Sequence, residues 1–125
     1  MVAAPDDRAI AGAGALATRI AALGLDVAGA VVNRVHAPWP ASPPPDRAAV
    51  AAALAAAGVA DHAAWLAATF VGHEHRARGE ARRIAALAAA LPAGVPLCRV
   101  PAQDVDVHDL RGLAAMAAAF DRPGS

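Results

Sequence analysis

Gly24-Leu-Asp-Val-Ala-Gly-Ala-Val-Val-Asn-Arg-Val35 is the stretch on which the fold turns. Gly24 ends a helical pattern as a left-handed cap. Val27 to Val32 then runs apolar without alternation over a length too short for a helix, which predicts a strand covered on both faces, and parallel sheet is the natural setting for such a strand. Asn33 ends that run at the carboxyl edge, where open α/β sheets bind ligands. Its amide offers one acceptor and two donors, which matches the N6 and N7 edge of adenine. The competing reading of Asn33 is a turn-former.

Working outward, Val2-Ala3-Ala4 is a short apolar strand. Pro5-Asp6-Asp7 after it carries helix-start chemistry, with carboxylates for the orphan amide groups. Ile10, Ala13, Leu16, Ala17, Ile20 and Leu23 recur at three- and four-residue steps and predict an amphipathic helix. Beyond Val35, His36 to Pro45 holds five prolines, a tryptophan and a serine and reads as a surface loop. From Asp46 a helix with Val50 and Leu54 runs to a break near Gly58, and Asp61 caps a restart. The next helix begins with Trp65 and Phe70, has a solvated middle from Gly72 to Arg83, and regains an apolar stripe at Ile84, Leu87 and Leu91. Pro92-Ala-Gly94 closes it. Val95 to Val100 reads as a third strand, Pro101 to Asp106 as a turn, and Leu110, Leu113, Met116 and Phe120 as a last amphipathic helix. The order β-α-β-α-α-β-α predicts an α/β fold: a partial parallel sheet in three layers with right-handed crossovers. There is no internal repeat.

The chain has 125 residues, enough for one domain with a usable core. Eleven arginines balance eleven acidic groups, so no electrostatic footprint for nucleic acid is present. The single Cys98 excludes an internal disulfide and a paired-cysteine zinc site. Uncharged runs stay below the roughly 18 to 20 residues that a spanning helix needs. The N-terminal stretch, apolar first and acidic after, is the reverse of a signal peptide, and the expected location is the cytoplasm.

A phosphate-binding loop needs a glycine-rich turn with Lys and Ser or Thr. No Lys occurs in the chain. Ala11-Gly12-Ala13-Gly14 lies inside a helical stripe and is not a dinucleotide turn. His73-Glu74-His75 has metal-type ligands, but residues two apart point to nearly opposite sides of a helix, so the expectation is a solvated face. Glu74 with Arg78 and Glu80 with Arg83 have the spacing of helical ion pairs. Asp104, Asp106, His108 and Asp109 bunch before the last helix, where carboxylates favour the positive end of the dipole. Cys98 reads as a buried, inert thiol, with Arg99 pointing to the opposite face.

Three stretches carry a resemblance. Gly24 to Val35, ending in Val-Asn-Arg, resembles the corresponding strand of the ArsA-type anion-transporting ATPases. Val95-Pro-Leu-Cys-Arg-Val-Pro101, followed by Asp104-Val-Asp-Val-His-Asp-Leu-Arg-Gly-Leu113, is similar to that family's closing strand, loop and helix. Ala4-Pro5-Asp6-Asp7 resembles its Pro-Glu turn. The resemblance implies the C-terminal part of a P-loop NTPase fold across residues 1–125, lacking the phosphate-binding loop. It implies ATP as ligand, with Mg supplied by elements outside this chain. Asn33 would contact adenine, and the loop from Pro101 through Ala102, Gln103 and Asp104 would close over the base. Hydrolysis is not expected from this chain alone. The implied partners are an N-terminal half with the phosphate-binding loop, or a homo- or hetero-oligomer, and through the family a membrane-associated cargo. The alternatives are a non-catalytic interaction domain or partner subunit, and a fragment of a partitioning or dethiobiotin-type ATPase.

Overall fold

The computed structural model describes residues 1–40, 43–103 and 106–118. Three strands, β1 (Val2–Ala3), β2 (Ala30–Val35) and β3 (Leu97–Pro101), form one parallel sheet in the order β1-β2-β3. Four helices accompany them: α1 (Asp7–Ala22), α2 (Arg47–Ala56), α3 (Ala63–Ala90) and α4 (Leu110–Ala117). The chain divides into two compact units, Met1–His36 with Glu80–Ser125, and Ala37–Gly79.

The helix starts are chemical. Asp6, Asp46 and Asp109 each stand at an N-cap, accepting from the amide of Ala9, Ala49 and Gly112 at 2.8, 2.7 and 2.7 Å. The ends of α1 and α2 are alike. Gly24, at φ +70°, lets its own amide reach the carbonyl of Ala21 and that of Leu25 reach Ile20. Gly58, at φ +86°, repeats the pattern onto Ala55 and Leu54. Asp61 does not cap α3. It sits inside a 3-10 turn, Ala60–His62, that leads directly into the helix, and this turn has no side-chain cap.

In the first unit one face of the sheet is buried. In a parallel sheet, partners in register share a face, so Ala3, Ala30, Val32 and Leu97 point to one side. Ile10, Ala13 and Ala17 of α1, Ile84 and Leu87 of α3, and Leu91 just after α3 cluster with them. The other face carries Val2, Val31, Cys98 and Val100; Val2 is 74% exposed, Val31 and Cys98 are half-buried, and Val100 is 2% exposed. β2 is therefore fully covered on its Ala30 and Val32 side and only partly on its Val31 side, and Cys98 is only partly shielded. The strand is also shorter than expected at its start, since Val27 to Gly29 lie outside it.

Width explains the exposed leucines of α1. Three strands about 4.8 Å apart span roughly one helix diameter, so the sheet has room beneath only part of each helix. Ala13 and Ala17 take that room, and Leu16 and Leu23 are left exposed. The stripe expected on α4 also faces outward at Leu110 and Leu113, while Met116 is half-buried. Phe120 lies outside the described residues.

In the second unit, Val50 and Leu54 of α2 are half-buried and none of its residues is fully buried. Trp39 meets Phe70 edge to face, with ring centroids 5.7 Å apart. Among the described residues no helix is long and apolar enough to cross a membrane.

Leu87 is 2% exposed and Leu23 is 69% exposed. Leu87→Ala is expected to cost about 3 kcal/mol through lost burial and a residual cavity, and Leu23→Ala less than about 0.5 kcal/mol. Urea denaturation of both variants followed by circular dichroism measures the contrast.

Candidate functional site

The carboxyl end of β2 is irregular. Asn33 pairs with Val100, but the next partner of β3, Pro101, pairs with Val35, so Arg34 is an extra residue at a β-bulge. Arg34 has φ +63° and is, among the described residues, the non-glycine residue in the left-handed region. That conformation costs an L-residue roughly 1 to 2 kcal/mol. The amide of Arg34 donates to Asn33 Oδ1 at 2.9 Å, which holds the Asn33 side chain against its own backbone. Past the bulge the ladder resumes, and the amide of Ala102 donates to the carbonyl of Val35 at 2.9 Å.

This geometry exposes a cleft of about 280 Å³ at the carboxyl ends of β2 and β3. Its polar groups are Asn33 and Arg34 from the bulge and Gln103 and Asp106 from the segment after β3. Its apolar walls are Val100, Pro101, Val107 and Met116. The Gln103 amino group donates to the Pro101 carbonyl at 3.1 Å, so the side chain folds back over the strand end. Apolar walls with a few convergent polar groups are the composition of a small-molecule site.

Asn33, Pro101 and Gln103 line this cleft; Ala102 contributes its backbone to the ladder. Asp104 lies outside the described residues. Pro101 is the last residue of β3 and not the first of a loop. Asp109 is spent on capping α4.

His73 and His75 are exposed, as expected of a solvated face, but Glu74 between them is 5% exposed. Glu80, one and a half turns further on, is 6% exposed. The middle of α3 is thus not a solvated segment, and its buried row runs on through Glu74, Ala77 and Glu80. Each carboxylate is buried because it holds a segment that cannot form a ladder. In the second unit, Glu74 Oε2 accepts the amide of Trp39 at 2.7 Å, and Glu74 Oε1 pairs with Arg78, whose guanidinium also donates to the Trp39 carbonyl at 3.4 Å. In the first unit, Glu80 accepts the amide of His36 at 2.8 Å and lies 3.0 Å from its Nδ1. The Glu74–Arg78 spacing therefore gives a real pair, whereas Arg83 turns away from Glu80 and binds Asp7 at 2.6 Å. That guanidinium holds the Asp7 carboxyl below its usual range.

Arg34, His36 and the burial of both glutamates escape sequence reasoning. The available signal was the proline-rich loop itself, whose remaining amides needed acceptors from somewhere. Among the described residues no group of three or more His, Cys, Asp and Glu could hold a metal ion.

The Trp39 amide and the Arg78 guanidinium hold the Glu74 carboxyl below its ordinary value of 4.5, against the opposing effect of burial. A depressed carboxyl stabilises the fold fully above that ordinary value and loses the contribution as pH falls through the folded one. Acid titration followed by tryptophan fluorescence is expected to show this loss in the native chain. In Glu74→Gln the same part of the transition is expected to vanish, because the amide does not titrate.

No protein-family model matches this chain, and no curated protein is significantly similar to it.

Proposed function

We propose that this chain supplies the adenine-binding side of an ATP site in an ArsA-like ATPase of the P-loop class, the phosphates and Mg being held by elements outside it. The observation that carries the reading is the convergence of Asn33, Pro101 and Gln103 on one cleft at the carboxyl edge of a parallel sheet. That edge is where α/β folds of this kind take their ligands. The cleft, at about 280 Å³, lies just below the roughly 300 to 1,000 Å³ of drug-sized sites, which suits a base better than a whole nucleotide. The absence of lysine fits the same division of labour, because nothing in these residues offers a lysine ammonium to the β- and γ-phosphates. The chain alone binds the base and does not turn over ATP.

Adenosine titrated into the chain by calorimetry tests this. Asn33→Ala is expected to weaken binding about tenfold, the size of one hydrogen bond with its desolvated partner left over, with helix content unchanged by circular dichroism. Equal affinity of the two proteins returns Asn33 to the turn-former reading.

A second reading, an interaction module in the cytoplasm, draws on a different observation. β1 ends the sheet, and its Val2 is 74% exposed. An unpaired apolar edge accepts a strand from another chain. The occupant in this reading is a segment bearing the phosphate-binding loop, or a second copy, and the cargo is a membrane-associated one reached through the assembly. Light scattering after gel filtration is expected to give a mass above that of one chain; a stable monomer at high concentration overturns the self-association form of this reading.

A further inference from the structure

The hydrogen bonds already made inside the cleft fix which polar atoms remain for a ligand. A backbone N–H only donates, so the Asn33 atom 2.9 Å from the Arg34 amide is its oxygen. A carbonyl only accepts, so the Gln103 atom 3.1 Å from the Pro101 oxygen is its amino nitrogen. Asn33 therefore turns its oxygen to its own backbone and keeps its amino group for the cleft. Gln103 does the reverse, with its amino group on the strand end and Oε1 left as an acceptor.

We infer that Gln103 sets the base preference of this cleft, its Oε1 accepting from the exocyclic amino group of a 6-aminopurine while the Asn33 amino group donates to N7. The inference rests on the adenine-site reading above and deepens it by assigning the choice between bases to a residue. Adenine offers a donor at position 6 beside the N7 acceptor, whereas guanine and hypoxanthine offer two acceptors there. A 6-oxopurine in the same pose sets its O6 against Gln103 Oε1, acceptor against acceptor. Rotating the Gln103 amide to present its amino group breaks its bond to Pro101. Asp106, also in the cleft, adds a second acceptor and no donor when ionised.

Arg34 opposes this preference. Arg34 lines the same cleft, and an arginine guanidinium pairs bidentately with O6 and N7 of a 6-oxopurine. The outcome is therefore a contest between one acceptor pair and one cation, which two variants separate.

Adenosine and inosine differ at position 6 and in the proton on N1, and both are titrated into the full chain by calorimetry. The native chain is expected to favour adenosine about tenfold, as for one hydrogen bond made against one refused. Gln103→Ala is expected to bring the two nucleosides to near parity, and Gln103→Glu, which keeps an acceptor, to retain the preference for adenosine. Gln103 is exposed, so neither change touches the core. A Gln103→Ala chain that still binds adenosine with the native preference overturns the assignment while leaving the adenine site standing. A native preference for inosine that disappears in Arg34→Ala overturns it in favour of the cation. Failure of the native chain to bind either nucleoside overturns the adenine-site reading itself, and this assignment with it.

Discussion

The ladder on both sides of β2 is the constraint that the first unit depends on. A parallel strand can be joined to its neighbours only through crossovers, because a tight turn reverses direction. β2 is bonded to β1 through Val31 and Val32 and to β3 from Ala30 to Val35. That single strand therefore obliges α1 to lie between β1 and β2, and α2, the 3-10 turn and α3 to lie between β2 and β3. The buried row of Ala30 and Val32 then decides which side of α1 and of the end of α3 becomes core.

The same ladder creates the cleft. Had pairing continued evenly past Asn33, residues 34 and 101 would have matched and the end of the sheet would have been flat. The extra residue at Arg34 breaks the match, costs backbone strain, and leaves Asn33 bonded to its own chain beside Pro101. A bulge next to a strand end is a common way to re-aim a side chain towards a ligand. Strain at Arg34 and a concave, mixed-polarity surface next to it are two faces of one local event.

Much of this was legible in the residues. Order of elements, the helix starts near Asp6 and Asp46, and the left-handed Gly24 follow from local chemistry, which acts within a few residues and leaves a pattern. Asn33, Pro101 and Gln103 line one cleft. What was not legible depended on distant partners. Glu74 and Glu80 look like solvated helix residues until the proline-rich loop delivers the amides of Trp39 and His36 to them. Arg83 had Glu80 at helical spacing, and Asp7, far away in sequence, took it instead. Leu16 looked like core because periodicity cannot report how narrow the sheet beneath it is.

Among the described residues, four of the nine buried residues of this core are alanines: Ala3, Ala13, Ala17 and Ala30 join Ile10, Val32, Ile84, Leu87 and Leu91. Alanine loses no rotamer freedom on burial, so this core forms at little side-chain entropic cost and with correspondingly modest hydrophobic gain per residue. It also has few torsions with which to readjust. A core of leucines can absorb a foreign methyl group by swinging its neighbours, whereas alanines have nowhere to swing, so any added volume must move the backbone of α1 away from the sheet. The alanines of α1 thereby set the distance at which that helix sits from the sheet.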